Sequence, residues 1–217
     1  MPGPFLAFST AYTAADMADR RVCFFGDSFV QGAGDPSGLG WVGRVASAAN
    51  APAFWLTAYT LGIRGETSRA LRNRWEGEAA LRLDGHQGHV VFSFGTNDMV
   101  IWDGQVRVPV QESLEHARAI LAGASARHPT LMISPPAMPD RSLSLRLARL
   151  VEALEQVCAE LDVPFLNVLK PLSNNDTWLR EAALGDGAHP AAGGYAAYAE
   201  LVQAWPAWRA WSQSTRG

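Results

Sequence analysis

The sequence predicts a single α/β domain in which helices cover both faces of a parallel sheet. Two observations predict it: short apolar runs alternate with longer segments of helical periodicity, and a length of 217 residues suits one hydrophobic core. Hydrophobic residues make up 48% of the chain and charged residues 18%, as in ordinary globular proteins. We therefore expect one domain over residues 19–217 and a loose extension over residues 1–18.

Five apolar runs are bounded by Gly, Pro or polar residues, which is typical of strands buried on both faces. They are RVCFFG at 21–26, AFWLTAYTLG at 53–62, HVVFSFG at 89–95, TLMISP at 130–135 and VPFLNVL at 163–169. The first strand is expected to begin at Arg21. Because ligands of parallel sheets bind beyond the carboxyl ends of the strands, the residues that follow each run are the first candidates for a site.

The segments between the strands have helical periodicity. They are WVGRVASAAN at 41–50, TSRALRNRWEGEAALRL at 67–83, PVQESLEHARAILAGASAR at 109–127, SLSLRLARLVEALEQVCAELD at 142–162 and GGYAAYAELVQAWPAWRAW at 193–211. In the fourth segment, Leu147, Leu150 and Leu154 recur at intervals of three and four residues. The tryptophans of the last segment are interpreted as packing onto the body of the protein, which leaves a homo-oligomer open.

Charge and cysteine usage exclude several classes of partner. The net charge is −3 and the lysines and arginines are scattered, so nucleic acid is not an expected partner. No stretch is apolar for long enough to span a membrane. Cys23 and Cys158 lie far apart in apolar surroundings and are interpreted as buried thiols, and the first residues lack the features of a signal peptide. These features predict a cytoplasmic protein.

Polar residues with catalytic chemistry follow the first three strands and precede the last helix. GDSF places Ser28 after the first strand, LGIRGETS places Gly65 after the second, and FGTNDM places Asn97 after the third. In GDGAHP, Asp186 and His189 are three positions apart in a glycine-rich turn. Because parallel strands end at one edge of the sheet, the first three of these turns are expected to face one crevice.

These residue types are the ones that acyl transfer needs. A serine becomes nucleophilic when a neutral imidazole takes its proton, and a carboxylate fixes the imidazole tautomer; Ser28, His189 and Asp186 supply one group each. The anionic intermediate also needs hydrogen-bond donors, each contributing about 3 kcal/mol to the barrier reduction. The candidates are the backbone N–H groups of Ser28 and Gly65 and the side chain of Asn97.

In this order, GDSF, GIRGETS, GTND and DGAHP resemble the four sequence blocks of the SGNH hydrolases, also called the GDSL family, over residues 21 to about 205. The resemblance implies a flavodoxin-like three-layer α/β/α sandwich with a five-stranded parallel sheet in the order 2-1-3-4-5. It also implies hydrolysis of esters or thioesters without a metal or another cofactor. Ser28 would be the nucleophile, His189 the base and Asp186 its orienting partner, with Ser28, Gly65 and Asn97 forming the oxyanion hole.

The chain departs from the common family pattern at three positions. Phe29 replaces the usual Leu after the serine, Thr60 stands where many members have Asn, and Glu66 replaces the frequent Asp after the second-block glycine. The last two changes affect how the Gly65 turn is braced. Asp27 and Asp98, which flank the candidate site residues, are interpreted as structural.

The substrate pocket is predicted from the loops that follow the third and fourth strands. Met99, Ile101 and Trp102 lie in the first loop and Met138 lies in the second, which three prolines stiffen. Covering the sheet edge is an equally good explanation for Ile101 and Trp102. A fixed, apolar and narrow pocket would favour small-molecule esters with short acyl groups or aryl alcohols.

Other functions remain as alternatives. The same triad serves thioesterases, lysophospholipases and carbohydrate O-deacetylases, and a protein of another class could bind an acylated ligand without cleaving it. Two further motifs are set aside. GAGDPSG at 32–38 has the wrong glycine spacing for a dinucleotide loop, and HQGH at 86–89 lacks a third metal ligand nearby, so it is interpreted as a polar loop entering a strand.

Overall fold

A computed structural model describes residues 18–50, 54–86 and 88–212, so the predicted extension lies outside the described residues except for Ala18. The strands are β1 (Ala18–Gly26), β2 (Phe54–Gly62), β3 (Gly88–Ser93), β4 (Ile101–Trp102), β5 (Gln105–Val106), β6 (Thr130–Ile133) and β7 (Phe165–Leu166). The helices are α1 (Ser28–Gln31), α2 (Gly40–Ala49), α3 (Ser68–Leu83), α4 (Val110–Ser125), α5 (Arg141–Glu160), α6 (Leu169–Leu172), α7 (Asp176–Leu184), α8 (Ala192–Ala204) and α9 (Pro206–Ser212).

Five of the strands form one parallel sheet in the order β2-β1-β3-β6-β7, which confirms the predicted order. Helix α8 contacts α2 and α7, and helix α4 contacts α3 and α5, so the helices form two groups, and each group packs against the sheet. Strands β4 and β5 form a separate antiparallel hairpin after β3. The sequence did not predict this hairpin, because two-residue strands have no measurable periodicity.

The core follows the apolar patterns of the sequence. Val22 to Phe25 in β1 are fully buried, and so are Leu147, Leu150 and Leu154 on the inner face of α5. Burying one such side chain contributes roughly 1.5–3 kcal/mol. Truncating Leu150 to Ala would remove that contribution and leave a cavity, at a cost of about 2–5 kcal/mol.

The structure differs from the prediction at the start of β1, in the last helix and in one additional helix. Strand β1 begins at Ala18 rather than at Arg21. The last predicted helix is divided at Trp205 into α8 and α9, because Pro206 has no N–H to continue the helical hydrogen bonds. Helix α7 was missed, although Asn175 caps it by accepting a hydrogen bond from the Trp178 N–H at 2.8 Å.

Other predictions about the core are confirmed. Trp208 and Trp211 pack into the core with exposed fractions of 2% and 9%. Cys23 and Cys158 are free and buried. No helix among the described residues is both long and apolar enough to cross a membrane. The cytoplasmic location stays a prediction.

Candidate active site

The carboxyl ends of three neighbouring strands lie level with one another. Gly26 at the end of β1 is in register with Gly62 of β2 on one side and with Ser93 of β3 on the other. The Ile63 N–H donates to the Gly26 carbonyl at 2.9 Å, which holds the loop after β2 against β1. The three turns after these strands therefore share one edge of the sheet, as the sequence predicts.

Ser28 is placed by a sharp change from strand to helix. It is the first residue of α1, and Asp27 caps that helix by accepting a hydrogen bond from the Phe29 N–H at 3.0 Å. The serine residue is only 6% exposed. A short helix capped at both ends, by Asp27 and by the left-handed Gly32, fixes the backbone from which the Ser28 side chain projects.

His189 is oriented by hydrogen bonds within its own turn, and its ring also contacts Ser28. Asp186 Oδ1 accepts the backbone N–H groups of Ala188 and His189 at 3.0 and 2.8 Å, and Asp186 Oδ2 lies 2.7 Å from His189 Nδ1. The carboxylate accepts the Nδ1 proton, so Nε2 carries the lone pair that faces Ser28 Oγ at 2.7 Å. The structure thus brings together the three residues predicted as the triad.

The charge on Asp186 is secured by its hydrogen bonds. Burial alone would raise the pKa of this carboxyl, but hydrogen bonds from the backbone and side chain of His189 outweigh burial and lower the pKa to about 2. Asp186 is therefore ionised at neutral pH, and a carboxylate in this position is able to stabilise a protonated His189.

Two residues that the sequence reading did not assign to the site support the imidazole. The Phe29 ring lies 4.9 Å from the His189 ring, measured between centroids. Gly34 has φ +88°, and a Cβ at this position would lie 2.9 Å from His189 Cβ and 2.8 Å from the Pro190 carbonyl oxygen. Only glycine allows this close approach without moving His189.

The segment that contains Gly34 is organised by a buried aspartate. Asp35 accepts hydrogen bonds from the Ser37 and Gly40 N–H groups at 2.9 Å each, and it pairs with Arg44. These contacts fix the start of α2 and hold the backbone of Gly34 against His189. Gly32 and Gly34 of GAGDPSG therefore allow close backbone packing, whereas a Cβ at Gly38 would meet no atom within 4 Å.

The Gly65 turn has the geometry of an available donor. Gly65 has φ +74°, a conformation that favours glycine, and its carbonyl accepts a hydrogen bond from Arg107 Nη1 at 2.9 Å. Within the described part of the chain its N–H makes no hydrogen bond. The turn is therefore braced from its carbonyl side, while its N–H is left for a ligand.

Glu66, which stands where the family frequently has Asp, braces the Gly65 turn through an ion pair. This buried residue pairs with Arg74, whose Nε lies 2.6 Å from Glu66 Oε1 and whose Nη2 donates to the Leu61 carbonyl at 2.7 Å. The pair ties the loop after β2 to α3. The longer Glu side chain thus suits a bridge to Arg74.

Asn97 and Asp98 divide their tasks. Asn97 Nδ2 donates to Asp27 Oδ2 at 3.4 Å, so the amide lies beside the residue that precedes Ser28. Asp98 is fully buried and accepts from the Ser68 N–H at 2.8 Å and from Ser113 Oγ at 2.6 Å. As predicted, Asp98 is structural: it joins the loop after β3 to the helices on either side.

The two carboxyls next to candidate site residues in the sequence, Asp27 and Asp98, have raised pKa values. Burial raises the pKa of Asp27 to about 7, although the hydrogen bond from the Phe29 N–H acts in the opposite direction. Burial also raises the pKa of Asp98, and hydrogen bonds from Ser113 and Ser68 only partly offset it. Both residues are hydrogen-bonded in the structure, which agrees with their structural interpretation.

The four predicted substrate contacts separate in the structure. Met99 is 1% exposed and belongs to the core, so the structure does not place it in the crevice. Ile101 and Trp102, in the β4–β5 hairpin, are 46% and 70% exposed, and Trp102 lines a groove of about 940 Å³ beside Gly65. Met138 is 8% exposed and lines a different cavity of about 710 Å³. The groove beside Gly65 is less apolar than expected, because three arginines line it together with three apolar residues.

His89, at the end of the HQGH segment, lies away from this edge of the sheet. His89 is in β3, and its ring lies 3.9 Å from that of Trp211, measured between centroids. Burial lowers the pKa of His89 to about 3, which favours the neutral ring. Among the residues described, no three His, Cys, Asp or Glu side chains are grouped as metal ligands would be.

Known proteins share this fold, and one family model matches most of the chain. A model of the GDSL-like lipase/acylhydrolase family matches residues 24–197. A lipase/acylhydrolase from Enterococcus faecalis has a similar structure, with a TM-score of 0.68 at 22% identity, over 84% of this chain and 93% of that chain. No curated protein sequence matches the chain.

Two further structural relatives extend this likeness. A member of the lipolytic protein G-D-S-L family from Veillonella parvula gives a TM-score of 0.66 at 20% identity, over 86% of this chain and 97% of that chain. A catalytic mutant of an acetylxylan esterase from Geobacillus stearothermophilus gives 0.69 at 18% identity, over 86% and 94%. At such identities the likeness demonstrates a common fold.

Proposed function

The chain belongs to the GDSL-like lipase/acylhydrolase family and is a serine ester hydrolase, and from this premise we propose that it cleaves esters of short acyl chains or aryl alcohols. The reaction would proceed through an acyl-enzyme at Ser28. One observation carries the proposal: Ser28 Oγ, His189 and Asp186 are joined by hydrogen bonds of 2.7 Å. A nucleophile, its base and the base's orienting group are thus already aligned.

The geometry supports the following steps. Ser28 Oγ attacks the ester carbonyl carbon as its proton passes to His189 Nε2, and Asp186 stabilises the imidazolium. The carbonyl oxygen becomes an oxyanion, for which the N–H groups of Ser28 and Gly65 and the Asn97 amide are the proposed donors. The C–O bond to the alcohol then breaks, and His189 returns the proton to the leaving oxygen. A water molecule, activated by His189, hydrolyses the acyl-enzyme in the same way.

A carbohydrate O-deacetylase is the second candidate function. Trp102 presents a flat ring that is 70% exposed beside the site, and such rings stack on the apolar faces of ring-shaped ligands. One structural relative is described as an acetylxylan esterase, and acetate is a short acyl group. Both candidates share the chemistry at Ser28 and differ in the alcohol.

Thioesterase, lysophospholipase and non-catalytic acyl binding remain alternatives to be tested. The experiment is a series of p-nitrophenyl esters from acetate to laurate, with an acetylated xylooligosaccharide and an acyl thioester as further substrates. We expect kcat/KM to be highest for acetate or propionate and to fall with longer chains. A rise toward laurate would favour a lysophospholipase, preference for the thioester would favour a thioesterase, and no turnover of any substrate would favour a binding protein.

A further inference from the structure

A groove of about 940 Å³ opens beside the proposed oxyanion hole. One wall is the loop from β2 to α3, with Arg64 and Gly65, and the other wall is the β4–β5 hairpin, with Trp102 and Arg107. Gly65 belongs to both the groove and the proposed oxyanion hole. A substrate whose carbonyl reaches Ser28 therefore extends one of its two halves into the groove.

The groove offers guanidinium donors that the protein does not use. Arg64 is exposed and makes no hydrogen bond or ion pair within the described ranges. Arg107 is also exposed and uses one guanidinium N–H to reach the Gly65 carbonyl at 2.9 Å, and its other side-chain donors have no partner among the described residues. Arg69 differs from both, because it is paired with Glu112 at 2.6 Å.

The remaining lining does not neutralise these charges. Asp103 is the acidic residue among the described lining residues, and it forms no ion pair in the described part of the protein. Because Arg69 is paired with Glu112, the other two arginines of the lining, Arg64 and Arg107, are balanced by Asp103 alone. A groove with excess positive charge and free planar donors suits an anion, because a guanidinium can hold two oxygens of a carboxylate or sulfonate at once.

The hairpin adds an apolar surface next to these charges. Trp102 is 70% exposed. A ligand that covers its large ring removes apolar surface from water, which stabilises the complex. The groove is also far larger than an acetyl or propionyl group needs. The short acyl group of the proposed substrate therefore does not fill the groove, which leaves it for the alcohol half.

We propose that the alcohol half of the substrate is a ring compound with an anionic substituent, bound with its ring on Trp102 and its anionic group between Arg64 and Arg107. This inference rests on the proposed esterase function and names its substrate class. Carboxylate and sulfonate or sulfate groups share the required chemistry. Transfer of the acyl group to Ser28 releases the anionic alcohol, whose oxygen takes its proton from His189.

The test compares acetate esters of para-substituted phenols that differ in charge: a carboxylate, a sulfonate, a neutral carboxamide and a trimethylammonium group. In hydroxide-catalysed hydrolysis the cationic ester reacts faster than the carboxylate, because its phenol is the better leaving group. We expect the enzyme to reverse this order and to give the anionic esters the higher kcat/KM. The preference should weaken as added salt screens the arginines.

Arg64 is the sharper site for substitution, because Arg107 also braces Gly65. Arg64→Gln should lower the carboxylate-to-carboxamide ratio of kcat/KM on the order of tenfold, mainly through KM, as expected for a lost charge-assisted hydrogen bond. Arg64→Glu should lower it further and favour the cationic ester. Arg149→Gln is the matched control, because Arg149 is exposed on α5, outside the groove, and unpaired in the described residues.

The outcomes separate this inference from the proposed function. If the enzyme keeps the hydroxide order, or if Arg149→Gln lowers the ratio as much as Arg64→Gln does, the inference is wrong while turnover of the neutral ester still supports an esterase. If none of the four esters is cleaved, the proposed function fails and the inference with it. Equal rates for sulfonate and carboxylate, both above carboxamide, would support recognition of charge, and a preference for carboxylate would support paired contacts to a planar group.

Discussion

The side chains on the two sides of the crevice differ in burial and in hydrogen bonding. On the catalytic side, Ser28, His189 and Asp186 are joined by hydrogen bonds of 2.7 Å, and Ser28 is nearly buried. On the groove side, Arg64 and Trp102 are exposed, and Arg64 has no partner in the described residues. Chemistry depends on groups that are in place before the substrate arrives, whereas recognition depends on groups that exchange water for a ligand.

The largest expected effect comes from removing the nucleophile on the catalytic side. Ser28→Ala should lower kcat for p-nitrophenyl acetate by a factor on the order of 10⁴ or more, because His189 then has no hydroxyl to deprotonate. The fold should persist, because the substitution removes only the hydrogen bond between the Ser28 hydroxyl and His189. Kinetics and a melting curve on the same preparation check both points, and a folded variant with normal turnover would disprove the mechanism.

Asn97→Ala tests whether an amide on the catalytic side acts on the transition state. If its donor stabilises the oxyanion, kcat and kcat/KM should fall together by roughly 10² to 10³ with little change in KM. The control is Asn50→Ala, because Asn50 is a hydrogen-bonded asparagine as well, with backbone partners at 2.9 and 3.0 Å, but it precedes β2 and so lies near the amino ends of the strands. That variant should lose about 1 kcal/mol of stability and keep its kcat.

The alternative role for Asn97 predicts the reverse pattern. If Asn97 only forms the turn, its variant should behave like Asn50→Ala, with a lower melting temperature and near-normal kcat. That outcome would remove Asn97 from the proposed oxyanion hole and leave Ser28 and Gly65 as its donors.

Gly34→Ala tests how tightly the imidazole is positioned. The added methyl group would lie 2.9 Å from His189 Cβ, so we expect displacement of the ring and a fall in kcat of roughly tenfold to a hundredfold. Gly38→Ala is the matched control, because Gly38 has φ +70° but no atom within 4 Å of an added Cβ. Gly38→Ala should therefore lower stability through backbone strain but leave kcat unchanged. Equal losses in both variants would mean that the contact with His189 is not what matters.

Asp27→Asn measures the cost of keeping a charge next to the serine. Burial raises the pKa of Asp27 from 3.8 to about 7, so its contribution to stability is present at low pH and is lost as pH rises from about 4 to about 7. An asparagine does not titrate. The stability of Asp27→Asn relative to the natural protein should therefore increase across this window, by up to about 1.4 kcal/mol per pH unit. Urea unfolding from pH 3.5 to 8 checks this, and a constant difference would contradict it.

The catalytic side could be predicted from the sequence because its signals are local. Asp186 and His189 bond within one turn, and Ser28 directly follows an apolar strand, so short motifs carry most of the geometry. The parallel order of the strands then brings the two segments together. The same holds for the buried strands, whose apolar residues are contiguous.

The groove side could not be predicted in the same way. Arg107 reaches the Gly65 carbonyl across 42 positions of sequence, and the hairpin that carries it has strands of two residues. Nothing in the local pattern around Arg64 distinguishes it from other surface arginines. Met99 shows the opposite error: an apolar residue in a loop was taken for a substrate contact, but its side chain packs into the core.

The assignment of Ser28 as the nucleophile is tested most directly by labelling with a fluorophosphonate ester, followed by mass mapping of the peptides. We expect one label per chain, on Ser28, with activity lost in proportion to labelling, and much slower labelling of His189→Ala because the base is absent. A label on a different residue, or full activity of the protein labelled at Ser28, would contradict the proposed mechanism.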